Sequence, residues 1–286
     1  MNPPTIKTFF DAATSTATHV VSCPATGAAA VIDSVFDYDP KSGRTSSASA
    51  DRVLRHLRDH RLTVQWHLET HAHADHFSAA PYLQERVGGR IAIGRHIREV
   101  QAVFQRIFNA KDMATDGTPF DHLFEDGERF RIGELEAVVL HTPGHTPACV
   151  TYVVGGDAFV GDTLFMPDYG SARCDFPGGD ARILFRSIRK VLALPAGTRL
   201  HLCHDYLPGG RAAQWETSVA EQRAANIHVH DGVSEDAFVA MRTARDKTLE
   251  MPTLLLPSVQ VNARAGHFPP PEDNGTRYLK IPLNAL

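Results

Sequence analysis

Thr70-His71-Ala72-His73-Ala74-Asp75-His76 decides how the rest of the chain is read. Three imidazoles and one carboxylate fall within six residues. They directly follow Leu62 to Glu69, a run that reads as a β-strand. Alternate residues of an extended segment point the same way, so His71 and His73 can converge on one ion. Asp75 and His76 stand where the next helix is expected to open, over Asp75 to Val87, before Gly88-Gly89 ends it. From there they can address a neighbouring ion.

Further candidate ligands follow other β-like runs. They are His145 in His141-Thr-Pro-Gly-His145, Asp162 in Val160-Gly-Asp162, and His204 in Leu202-Cys-His204. Taken singly, a Gly-Asp is a turn and a lone histidine is structural. Together they place donors at the ends of several strands, which can meet at one edge of a layered fold.

The remaining pattern is mixed. Strands are expected over Thr18–Cys23, Ala28–Val35, 91–93, 136–140, 149–154, 158–160 and 199–203. Helices are expected over 51–60, 97–108 and 183–194. Asp126-Gly127 reads as a hairpin turn between 123–124 and 130–132. Residues 255–286 are proline-rich and read as an extended tail on a single domain spanning 1–286. Val100, Phe104, Ile107 and Phe108 form an apolar stripe at helical spacing, which belongs to the core.

Composition narrows the function. The 286 residues carry a net charge of −4, against the basic excess of a nucleic-acid binder. No apolar run reaches the length of a membrane span, and the N-terminus lacks a secretory pattern, so a cytoplasmic protein is expected. The four cysteines form no C-x-x-C pair and no disulfide framework. Cys149 is expected in the core, and Cys203 is expected to face away from the metal by strand alternation. Cys174 shares a loop with Arg173.

The H-x-H-x-D-H motif, followed in order by Gly-His, Gly-Asp and a final His, resembles the metallo-β-lactamase superfamily. That resemblance implies an α/β, four-layer αββα sandwich with a metal site at one edge. It also implies a dizinc ligand set: His71, His73 and His145 for one ion, Asp75, His76 and His204 for the other, and Asp162 between them. Three stretches look more narrowly like the persulfide dioxygenases, the family of the ethylmalonic-encephalopathy protein and its bacterial branch. They are His141 to Tyr152, Gly170-Ser-Ala-Arg-Cys-Asp-Phe176 and Cys203-His-Asp-Tyr206, with a similar tail from Gln260 to Asn284.

This second resemblance implies one Fe(II) per chain on His71, His145 and Asp162, the facial triad of non-haem oxygenases. Glutathione persulfide and O₂ would be the substrates, and sulfite and glutathione the products. His73, Asp75, His76 and His204 would then orient ligands or relay protons. Arg173 is a candidate for a glutathione carboxylate, Asp175 for orienting Arg173, and Tyr206 for the substrate backbone. The alternative is a glyoxalase II-like thioester hydrolase with one or two Zn(II) ions. A homodimer is compatible with either. A separate sulfurtransferase or sulfide-oxidising enzyme would supply the persulfide, because the chain holds no rhodanese-like segment.

Overall fold

The structure is a computed structural model and describes residues 3–285. The first half runs β1 (Thr5–Asp11), β2 (Thr16–Ser22), β3 (Ala28–Ile32), β4 (Val35–Asp39), β5 (Arg44–Ser46), α1 (Ala48–Asp59), β6 (Thr63–Leu68), β7 (Phe77–Ser78), α2 (Ala80–Val87), β8 (Arg90–Gly94), α3 (Ile97–Ile107) and β9 (His122–Phe124). The second half runs β10 (Arg129–Ile132), β11 (Leu135–His141), β12 (Val150–Val154), β13 (Asp157–Phe159), α4 (Ala181–Leu192), β14 (Arg199–His201), β15 (Glu216–Ser218), α5 (Val219–Ala225), α6 (Glu235–Asp246) and α7 (Leu255–Asn262).

Two six-stranded sheets form the centre, ordered β1-β2-β3-β6-β8-β9 and β10-β11-β12-β13-β14-β15. Phe124, Phe130, Val139 and Tyr152 fill the space between them. On the outer face of the first sheet, Val53 and Leu57 of α1 and Leu83 of α2 cover Val20 and Val31. On the outer face of the second, Leu184 and Ile188 of α4 and Phe238 of α6 cover Ala158 and Leu200. Each sheet therefore buries both faces, and the layers run helix, sheet, sheet, helix. The expected αββα sandwich is the fold observed. The stripe on α3 lies in the core, with Val100, Phe104 and Phe108 buried.

Four local expectations are corrected. Asp126-Gly127 is a crossover between sheets, not a hairpin: β9 pairs with β8, whereas β10 pairs with β11. The dipeptide encodes a change of direction, but each flanking strand has its partner elsewhere. The helix expected from Asp75 starts only at Ala80, because β7 first pairs with β4. The run 28–35 breaks at Asp33, whose φ is +52°. The tail from 255 begins as α7, with Pro257 tolerated in its first turn.

Candidate metal centre

The candidate donors stand beyond the carboxyl ends of β6, β11, β13 and β14, at one edge of the sandwich. His71, His145 and Asp162 offer atoms that all lie within 4.8 Å of one another. Asp162 Oδ2 is 3.9 Å from His71 Nε2 and 3.7 Å from His145 Nε2. Two metal bonds of about 2.1 Å at a tetrahedral angle separate their donors by about 3.4 Å, so small movements close this set on one ion.

The other ring nitrogens are anchored. His145 Nδ1 donates to the Arg173 carbonyl at 2.8 Å. The Thr70 hydroxyl donates to Asp33 Oδ2 at 2.9 Å, so its oxygen accepts from His71 Nδ1 at 3.0 Å. Both Nε2 atoms therefore keep a lone pair for the centre, the tautomer a metal ligand needs. Burial and the neighbouring imidazoles of His73 and His145 push His71 well below the usual histidine range, which keeps it neutral.

The glycines of the two short motifs make this geometry possible. Gly144 has φ +129°, and a Cβ there would sit 2.3 Å from the Leu184 nitrogen of α4. A Cβ on Gly161 would sit 2.5 Å from the Thr70 hydroxyl that orients His71.

His73 is held differently. Its Nε2 lies 2.9 Å from Asp33 Oδ1 and 3.3 Å from Glu69 Oε2. Burial opposes the charge on His73, but these two carboxylates overcome it and raise the imidazole well above its usual range. Its Nδ1 is buried without a hydrogen-bond partner.

Asp75 and His204 face the triad. His204 Nε2 is 3.2 Å from Asp75 Oδ2 and 3.4 Å from Asp162 Oδ1. Burial works against ionised Asp75, yet His204 and His76 hold its carboxyl far below the usual range. Thr16 lies among this group, its hydroxyl 3.4 Å from His76 Nδ1. His76 Nε2, His204 Nε2 and Asp162 Oδ1 are buried without aligned hydrogen bonds. Unsatisfied buried polar atoms each cost about 1–3 kcal/mol. Two of them, His204 Nε2 and Asp162 Oδ1, lie 3.4 Å apart, and orphaned polar atoms side by side fit a bound cation.

A cavity of about 720 Å³ opens onto the centre and is bordered by Asp75, His145, Asp162, Arg173 and Tyr206. Arg173 does not present a free fork to it. Its Nη2 reaches Asp175 Oδ2 at 2.6 Å, its Nε pairs with the other oxygen, and its Nη1 donates to the Glu250 carbonyl. Tyr206 stacks on His204, ring centroids 5.7 Å apart at 21°. Cys149 is buried and its thiol is pushed up to about 12 by desolvation. Cys174 is buried among the residues packed under α4. The expectation for Cys203 is corrected: its sulfur lies within 4.8 Å of donor atoms of His73 and His204. β14 ends at His201, so strand alternation does not extend to it.

A family profile for the metallo-beta-lactamase superfamily matches residues 14–204. The chain belongs to the metallo-β-lactamase superfamily. A probable metallo-hydrolase of Burkholderia pseudomallei is 59% identical over 99% of this chain and its own full length. A beta-lactamase hydrolase-like protein of Agrobacterium fabrum is 55% identical over 99% of this chain, which spans 65% of that relative. The mitochondrial persulfide dioxygenase ETHE1 of Bos taurus is 27% identical over 94% of this chain and 91% of its own. The crystal structure of ETHE1 from Myxococcus xanthus superposes with a TM-score of 0.74, at 29% identity, over 92% of this chain and 100% of that one.

Several residues of this superfamily centre were not legible from the motifs. Asp33 and Glu69 hold His73, and Asn262 of α7 donates to the carbonyls of His73 and His76 at 2.8 and 2.7 Å. One signal for Asp33 existed: it interrupts an apolar run, and a carboxylate in a core strand needs a partner.

Proposed function

We propose that the chain is a persulfide dioxygenase acting on glutathione persulfide at a single Fe(II) held by His71, His145 and Asp162. The observation that carries this reading is the convergence of two Nε2 atoms and one carboxylate oxygen beside an open cavity. A two-histidine, one-carboxylate set with free positions suits ferrous iron in oxygen-using enzymes. The likeness to the two ETHE1 proteins supports the same reading.

The chemistry such an ion supplies when bound is electron transfer to dioxygen and a seat for a thiolate sulfur. The protein's part is to orient and to handle protons. The Arg173 carbonyl and Thr70 hydroxyl fix the ligating rings. His204 Nε2 lies between the carboxylates of Asp75 and Asp162, where the ring can take up a proton released on hydrolysis. Overall, persulfide, O₂ and water give glutathione, sulfite and two protons. The outer sulfur loses four electrons and O₂ gains them.

A second reading rests on the buried, unpartnered atoms of His76, His204 and Asp162 and on the hydrolase names of two relatives. It is a dizinc thioester hydrolase resembling glyoxalase II, with a metal-bound hydroxide as nucleophile. Oxygen uptake by iron-reconstituted protein given glutathione persulfide separates the two. Rapid uptake with sulfite formed, abolished by Asp162→Ala, is the expected result. Protein proven to contain iron that consumes no oxygen would overturn the proposal.

A further inference from the structure

Three arginines border the cavity: Arg173, Arg242 and Arg245. Two have their forks closed by the protein. Arg173 pairs with Asp175 through Nη2 at 2.6 Å. Arg242 is wholly buried and bonds Asp246 Oδ1 through Nε at 2.8 Å and the Ser171 carbonyl through Nη1 at 3.1 Å. Arg245 is exposed at the mouth, and among the described residues its guanidinium has no carboxylate partner.

The helix that carries it is held in place. Arg242 and Arg245 are three residues apart on α6 and so share a face. Asp246 accepts from the Cys174 amide at 2.9 Å, which ties the last turn of α6 to the loop bearing Arg173. The next turn closes on Arg245 itself, whose carbonyl accepts from the Thr248 hydroxyl at 2.7 Å. The anchored helix end fixes where this side chain starts, and its planar fork matches a planar anion such as a carboxylate.

We propose that Arg245 is the specificity-determining anchor for a carboxylate on the substrate's carrier, selecting peptide-like thiol adducts over uncharged ones. Given its occupied fork, Arg173 instead shapes the wall and positions His145 through its carbonyl. The proposal rests on the reading of the centre as one that takes a thiol-borne sulfur. It extends that reading by naming the residue that selects the carrier.

The test compares iron-loaded wild type, Arg245→Ala and Arg245→Lys on glutathione persulfide and on 2-mercaptoethanol persulfide, which lacks a carboxylate. The wild type should prefer glutathione persulfide in kcat/KM. Arg245→Ala should cut that preference on the order of tenfold, through KM, because a charge-assisted hydrogen bond is lost. Arg245→Lys should restore part of it, and added salt should erode the wild-type preference. Calorimetric titration with glutathione, which needs no turnover, should show the same weakening. An unchanged preference in Arg245→Ala, or a parallel rise of both KM values, would overturn the assignment. If the wild type oxidises neither persulfide yet binds glutathione in an Arg245-dependent way, the anchor stands and the reaction assignment falls.

Discussion

Asp33 Oδ1 and His73 Nε2 meet at 2.9 Å, with both side chains buried. The same carboxylate takes the Thr70 amide at 2.8 Å and the Thr70 hydroxyl at 2.9 Å. Through Thr70 it orients His71, so one residue just past β3 sets two histidines of the motif. Asp33→Asn should leave the charged His73 with only Glu69. Breaking a buried pair costs about 3–5 kcal/mol, and loss of a ligand-orienting partner weakens metal binding about 10–100-fold. Guanidinium denaturation of the metal-free protein and competition against a chromogenic chelator measure the two effects. Wild-type metal affinity in the variant would detach Asp33 from the centre.

Asn262 makes the matching contact from the other end of the chain. Its amide nitrogen donates to the carbonyls of His73 and His76, and its oxygen accepts from the Ser78 amide at 2.9 Å. Asn262→Ala would strand two carbonyls and one N–H in a dry site. About 3 kcal/mol or more of stability should be lost, because three groups are left unsatisfied at about 1–3 kcal/mol each. Metal affinity should fall too, since the loop between β6 and β7 is no longer clamped. A variant that loses stability but keeps its chelator-competition constant would make Asn262 purely a packing residue.

Metal count distinguishes the two readings of the centre. With a single ion on His71, His145 and Asp162, reconstituted protein holds one metal per chain. His204→Ala should then keep that ion, because His204 Nε2 lies 3.4 Å from Asp162 Oδ1 without belonging to the triad. Asp162→Ala should lose it. Elemental analysis after gel filtration reads both. Two ions in the wild type, falling to one in His204→Ala, would favour the dizinc hydrolase.

The donor residues were legible in the sequence because each stands just past a strand, where local pattern and spacing carry the information. What holds them was not. Asp33 is about forty residues from His73 in sequence, and Asn262 approaches from α7, within a stretch whose prolines suggested an extended tail. Side-chain hydrogen bonds across such separations leave no periodic trace. The misreading of Asp126-Gly127 has the same origin. A turn dipeptide reports a reversal of the chain, while the sheet a strand joins is settled by tertiary packing. The Arg173 fork was assigned to substrate from residue type alone, and its neighbour Asp175 closes it in the folded chain.

Acid should weaken the fold through His19, a residue outside the sequence motifs that touches one of them at Leu202. His19 Nε2 donates to the Leu202 carbonyl at 3.0 Å, so Nδ1 accepts from the Thr8 hydroxyl at 2.9 Å. The ring is buried and satisfied as the neutral form. Burial, aided by His201, pushes it from 6.5 down to about 3. In the unfolded chain the same ring binds a proton below about 6.5. The unfolded state therefore holds more protons between these values, and stability rises with pH there. It should be complete above the unfolded value and decline as pH falls from about 6.5 towards 3, by up to about 1.4 kcal/mol per unit. His19→Gln retains a donor for the Leu202 carbonyl and cannot titrate. Urea unfolding of metal-free protein at pH 7.5, 6 and 5 should show the variant less stable at pH 7.5 and less steep in its decline, by close to one proton. Equal slopes in the two proteins would mean that His19 is already protonated in the folded chain.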